Sequence, residues 1–174
     1  MSLRFRLDPE QDRRLLDGFV RLWTDVVNTG GAVGFVPPVT PEDVRPDALL
    51  HLAAAAEGRT RQLVGFDDEG EVRATAHFTF NKHRLMRHWV GLYTVMVDPS
   101  LQGRGVGREL MAAAEREARA FDGIRAVRLT CRGGLGLEHF YASCGYKEVG
   151  RAPGAIRVAE DDYRDDITMW LPLL

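Results

Sequence analysis

Leu3, Phe5 and Leu7 alternate with Arg4 and Arg6, the period of two expected of a strand with one buried face. The period then lengthens. After Pro9, the residues Leu15, Leu16, Phe19, Val20, Leu22, Trp23, Val26 and Val27 recur at helical spacing and predict a helix with one apolar face, opening at the proline. Asn28-Thr29-Gly30-Gly31 closes it, because glycine tolerates the left-handed cap. Gly31 to Thr40 reads as a loop, with Gly34 and then Pro37-Pro38, which no helix interior accommodates. A second helix starts with Thr40 as N-cap, Pro41 in the first turn and Asp43 as a capping acid. Leu49, Leu50, Leu52, Ala53 and Ala56 continue it to Gly58.

Strands follow at Arg61 to Phe66 and Val72 to Phe80, separated by the turn Asp67-Asp68-Glu69-Gly70. Trp89 to Val97, rich in aromatic and β-branched residues, is another strand, closed by Pro99 and Ser100. A glycine-rich turn leads into a long helix, Arg104 to Phe121, with Val106, Leu110, Met111, Ala114 and Ala118 on one face. Ala126 to Cys131 is a strand and Leu137 to Ser143 a short helix. Tyr146 to Gly150 and Thr168 to Leu171 are the last strands. The order βααβββαβαββ has no repeat and no linker, so residues 1–174 are expected to form a single α/β or α+β domain.

Composition narrows the function classes. A chain of 174 residues that is 45% hydrophobic suits one core. A net charge of -2 excludes the strongly basic balance of a typical nucleic-acid binder. Cys131 and Cys144 form no CxxC pair and no metal-ligand cluster accompanies them, so no metal is expected. Reduced thiols, an N-terminus without an apolar signal region and apolar runs too short to span a bilayer together predict a cytoplasmic protein that binds neither membrane nor nucleic acid.

The strongest chemical signal is the run from Val95 to Leu110. A strand enters a turn with glycines at 103, 105 and 107 and continues directly into a helix. Glycines let the backbone approach a ligand, and the first amides of a helix lack intrahelical partners and attract phosphate. The Walker pattern is excluded, since no Lys lies here. The dinucleotide pattern is excluded by spacing, which is G-x-G-x-G late in the chain rather than GxGxxG after the first strand.

Gln102-Gly103-Arg104-Gly105-Val106-Gly107, behind a Val-x-x-Pro strand end, resembles the pyrophosphate signature of GNAT acetyltransferases, and the order of elements resembles that superfamily over nearly the whole chain. The resemblance implies a central mixed, mostly antiparallel sheet of about seven strands flanked by helices, with acetyl-CoA as co-substrate. It implies that Val95, Met96 and Val97 lie along the pantetheine. It also implies that Gln102 and the amides of Gly103, Arg104, Gly105, Val106, Gly107 and Arg108 hold the pyrophosphate. Phe140-Tyr141-Ala142-Ser143-Cys144-Gly145-Tyr146 resembles the family's helix-to-strand segment, which makes Tyr141 the expected acid for the departing thiolate and Tyr146 a packing aromatic. The family's cofactor-contacting Asn is replaced here by Gly134.

The base is open. Many relatives carry Glu where this chain has Gly91. The residues left are His77, His83, His88, Tyr93, Asp161 and Asp162, and the sequence does not choose among them. Gly30 to Phe35, Val149 to Gly154 and Thr168-Met169-Trp170 resemble the tabtoxin-resistance branch, although the acids that branch places near Gly91 and Thr130 are absent. That narrower resemblance implies a small polar, amino-acid-like or antibiotic-like amine as partner, with the Gly30 to Pro38 loop bordering its pocket. A homodimer is compatible with it. Two other functions stay open: a non-catalytic CoA-binding module and a protein N-acetyltransferase.

Overall fold

The computed structural model describes residues 2–174. The alternating N-terminal segment forms strand β1 (Arg4–Leu7), which pairs antiparallel with β2 (Thr60–Phe66). Between them run helices α1 (Arg13–Asn28) and α2 (Pro41–Ala56). Helix α1 begins three residues beyond Glu10 rather than at Pro9, because Asp12 provides the N-cap and accepts from the Leu15 amide at 2.8 Å. Helix α2 carries the expected capping box: Asp43 accepts from the Thr40 amide at 2.8 Å and the Thr40 hydroxyl accepts from the Asp43 amide at 3.3 Å.

The remaining elements are β3 (Val72–Phe80), β4 (Trp89–Val97), α3 (Val106–Ala120), β5 (Ala126–Arg132), α4 (Leu137–Ser143), β6 (Lys147–Ala159) and β7 (Asp162–Pro172). Among the described residues the strands make one seven-stranded sheet in the order β1-β2-β3-β4-β5-β7-β6. It is mixed and open, parallel at β4–β5 and antiparallel elsewhere. Helix α3 begins at Val106, two residues later than Arg104, because Gly105 takes the left-handed conformation at the N-cap, with φ of 85°. Strands β6 and β7 extend far beyond Gly150 and Thr168 as a long hairpin. Residues 147–155 of β6 are exposed, so no alternation marks them, and register shifts take up Val149 and the Pro153-Gly154-Ala155 run.

Two cores sandwich the sheet. Helix α3 and Tyr141 of α4 pack with Leu63, Phe78, Val90, Leu129 and Ile167 on one face. On the other, α1 and α2 enclose Phe19, Leu22, Trp23, Val44, Val64 and Met96. Both faces are buried in these clusters, which fixes the strands that carry the site.

Candidate active site

The site begins with a defect in β4. Thr75 pairs with Met96 and His77 with Tyr93, so Ala76 alone opposes both Thr94 and Val95. This bulge holds Thr94 at φ of 47°, a left-handed conformation that costs a β-branched residue energy. It also inverts the pleat. Before the bulge Val90 and Leu92 face α3, whereas after it Val95 and Val97 face α3 and Met96 faces α1. Beside this bend the parallel pairing with β5 stops: it comprises Trp89–Ala126, Val90–Val127 and Gly91–Arg128, and past that row the two strands part.

The opening leads to two cavities that share Ala32, Val33, Val95, Leu137 and Tyr141. The first, about 650 Å³, runs along the glycine turn and is lined by Val95, Met96, Val97, Gln102, Gly103, Gly105, Gly107 and Arg108. Val106 and Arg104 do not line it. The Val106 side chain belongs to the core, leaving its amide at the helix start, and Arg104 is exposed. Gly103 and Gly105 have φ of 73° and 85°, and a Cβ at either would meet nothing within 4 Å. They keep the backbone bare beside the groove. Gly107 is different, since a Cβ there would lie 3.1 Å from the Phe140 ring. It is small so that α3 and α4 can approach each other.

An ionic network fixes the turn. Gln102 Nε2 donates to the Val97 carbonyl at 3.1 Å. Asp98 accepts from the Ser100 amide and hydroxyl at 2.9 and 2.7 Å, and from Arg73 Nη1 at 2.9 Å. Arg73 Nε donates in turn to Asp67 at 2.7 Å. Burial would raise the Asp98 carboxyl, but the Ser100 and Arg73 hydrogen bonds outweigh it and hold the pKa below the usual carboxylate range.

Tyr141 lines both cavities where they meet, 8% exposed. Burial, followed by the neighbouring Cys131 and Cys144 thiols, pushes its phenol well above the ordinary value, so the proton stays on the oxygen. Tyr146 is buried beside it with ring centroids 6.0 Å apart, in the packing position. At Gly134, φ is 88° and a Cβ would collide with Arg164 Nη1. An asparagine at that position would need Arg164 to move.

The second cavity, about 400 Å³, is walled by Trp23, Phe35, His51, Tyr93, Leu92 and Leu129, with Asp47 as its one carboxylate. Its outer wall is the loop after α1. Trp23 Nε1 donates to the Val33 carbonyl at 2.8 Å, and the Asn28 amide exchanges two 2.9 Å hydrogen bonds with Val39. Of the residues considered as bases, Tyr93 alone lines this cavity. His77, on β3, is fully buried, and the Gln62 amide donates to its Nε2 at 3.0 Å. His83 and His88 sit on the exposed β3–β4 connection, at the opposite end of β4 from the bulge. Asp161 lies in the β6–β7 turn, and Asp162, at the start of β7, is held by Arg164. His51 was not among the candidates, yet it lines the cavity directly. Its position between Leu50 and Leu52 gave no signal, because nothing local says which face of α2 meets β4. Among the described residues no group of three His, Cys, Asp or Glu side chains is placed to hold a metal ion, and no helix is long and apolar enough to cross a membrane.

Residues 15–146 match the model of the acetyltransferase (GNAT) family. Solved structures share the fold over essentially the whole chain. An N-acetyltransferase from Staphylococcus aureus Mu50 superposes with a TM-score of 0.80 at 17% identity, covering 100% of both chains. A GNAT superfamily phosphinothricin acetyltransferase from Sinorhizobium meliloti, in complex with acetyl-CoA, gives 0.78 at 18%, covering 99% of this chain and 89% of its own. A ribosomal-protein-alanine N-acetyltransferase from Brucella melitensis gives 0.74 at 23%, covering 98% and 99%.

Proposed function

The chain belongs to the GNAT family of acyl-CoA-dependent N-acetyltransferases, with acetyl-CoA as co-substrate, and on that premise we propose that its acceptor is a primary amine on a small molecule. One observation carries this reading: the groove along the glycine turn opens, at Val95 and Tyr141, into a walled cavity of about 400 Å³. That volume is the size of a small-ligand site. A polypeptide acceptor would need a long open channel, and here the loop of residues 32–35 forms part of the wall.

In this reading Val95, Met96 and Val97 run beside the pantetheine. The pyrophosphate sits on the bare turn and the first amides of α3, where the helix dipole is positive. The unpaired edge of β4 past Gly91 leaves backbone donors near the acetyl carbonyl, where they can stabilise charge developing on its oxygen. The amine nitrogen attacks the carbonyl carbon, the C–S bond breaks, and Tyr141 protonates the leaving sulfur. The cavity wall contains no Lys or Arg and has Asp47 as its one carboxylate. Compared with an anionic, amino-acid-like acceptor, that wall favours an ammonium carried on an aromatic or apolar body.

The test is thiol release from acetyl-CoA with 2-phenylethylamine, phosphinothricin, L-alanine and a peptide with N-terminal alanine. Turnover is expected with small amines, 2-phenylethylamine foremost. Turnover with the peptide alone would make the protein a protein N-acetyltransferase. Saturable acetyl-CoA binding without turnover on any amine would make it a non-catalytic module.

A further inference from the structure

The acceptor must lose a proton before it can attack, and the family's usual strand position holds Gly91, where a Cβ would lie 2.8 Å from Thr79 Cγ2. A different group has to serve. We propose that His51, reaching from α2 onto the β4 bulge, is the base that accepts the proton of the acceptor ammonium, with the Thr94 hydroxyl as the hydrogen-bond partner it exchanges for substrate. The proposal rests on the small-amine reading above.

The hydrogen bonds fix the tautomer. His51 Nδ1 lies 2.8 Å from the Asp47 carbonyl, which can only accept, so Nδ1 carries the proton. Nε2 is therefore the lone pair, and it accepts from the Thr94 hydroxyl at 3.0 Å. Both His51 and Thr94 line the cavity. The strained backbone of Thr94 gains a purpose here, because φ of 47° is what carries its hydroxyl to α2 from a strand that has just changed pleat.

The surroundings keep the ring a base. The ring packs 5.0 Å from Trp23 and 5.8 Å from Phe19 on α1, 5.0 Å from His77 on β3 and 5.4 Å from Tyr93 on β4. The one anionic group facing it is Asp47, a turn earlier on its own helix. Burial lowers the His51 pKa below the ordinary imidazole value, and the Asp47 carbonyl and charge oppose this only in part.

Nε2 takes one proton from the bound ammonium and frees the nitrogen lone pair. The lone pair attacks the thioester carbon, the C–N bond forms and the C–S bond breaks, with the electron pair leaving on sulfur. The sulfur takes the Tyr141 proton, and the second nitrogen proton replaces the one that Tyr141 gave. His51 returns its proton to solvent, so one proton leaves per turnover and one resides on the thiol.

The experiment compares His51→Gln with the parent on two acceptors, 2-phenylethylamine and 2,2-difluoro-2-phenylethylamine. The fluorines acidify the ammonium, so the second amine arrives largely neutral at pH 8. His51→Gln should lower kcat/KM for 2-phenylethylamine by about a hundredfold or more, and for the difluoro amine by much less, with acetyl-CoA affinity unchanged. Equal losses on both amines, or none, would overturn the assignment. Absence of turnover by the parent on either amine would instead overturn the small-amine reading and this inference with it. Should the variant not fold, the parent alone decides: kcat/KM for 2-phenylethylamine must fall on the acid side with an apparent pKa below the ordinary imidazole value. A profile without that limb refutes the proposal.

Discussion

His77 is a fully buried imidazole held neutral, and its presence makes the fold acid-sensitive in a calculable way. Burial and the nearby His51 lower its pKa from 6.5 to about 3, against a smaller opposing effect of the Thr94 carbonyl. A base whose folded pKa is depressed binds its proton only on unfolding once the pH falls below 6.5. Stability is therefore lost as pH falls between 6.5 and about 3. Each pH unit in that window is worth about 1.4 kcal/mol. From pH 7 to pH 5 the loss from His77 is about 2 kcal/mol, and because the folded pKa lies well below 5, that figure depends only on the unfolded value. For a chain of this length it corresponds to about 4–8 °C in Tm. Urea unfolding followed by tryptophan fluorescence at pH 7, 6 and 5 measures it, with His77→Gln as the reference that removes this one titration. The variant should be less stable than the parent at pH 7 but lose about 2 kcal/mol less on acidification. Parallel stability curves for parent and variant would refute the reasoning. So would a His77 ring signal that titrates between pH 7 and 5 in the native protein.

Tyr141→Phe keeps the ring in its packed position, so acetyl-CoA affinity should be unchanged while turnover on 2-phenylethylamine falls by roughly ten- to a thousandfold. Full turnover, with a stability loss of about 1 kcal/mol instead, would reduce Tyr141 to a core aromatic. Gly105→Ala places a Cβ in open space but on a backbone with φ of 85°, so it should cost about 1 kcal/mol in urea unfolding and weaken acetyl-CoA binding measured by calorimetry. Unchanged affinity would mean that the turn does not hold the pyrophosphate.

Elements with one buried face were legible in the sequence. Strands β3 and β4 and helix α4 begin and end at the residues expected from the sequence. The glycine turn stood out in the sequence because three alternate glycines are unusual in an ordinary strand-to-helix turn, and the structure places it along a groove. Its division of labour was not legible, since only the packing of Phe140 reveals that Gly107 spaces two helices. The β6–β7 hairpin was underestimated because an exposed edge strand carries no hydrophobic period, and Pro153 and Gly154 look like breakers until a bulge absorbs them. His51 was illegible for a deeper reason. Its partner Thr94 is 43 positions away and reaches it only through a bulge that the sequence of β4 does not announce.

The short parallel contact between β4 and β5 also divides the molecule in sequence. Strands β1 to β4 all precede residue 98, and β5 to β7 all follow residue 125. Each group is a locally paired sheet, and within the sheet the two are sewn together by three residue pairs. Such a seam has the layout of a natural breakpoint: two polypeptides divided in the Phe121–Arg125 connection would each carry their own ladders, and joining them would rebuild the core under α3 that both line. A molecule lodged between β4 and β5 would then act as the rivet of that junction. Its occupancy would be registered as slower hydrogen exchange on both banks of the gap, far beyond the residues that touch it.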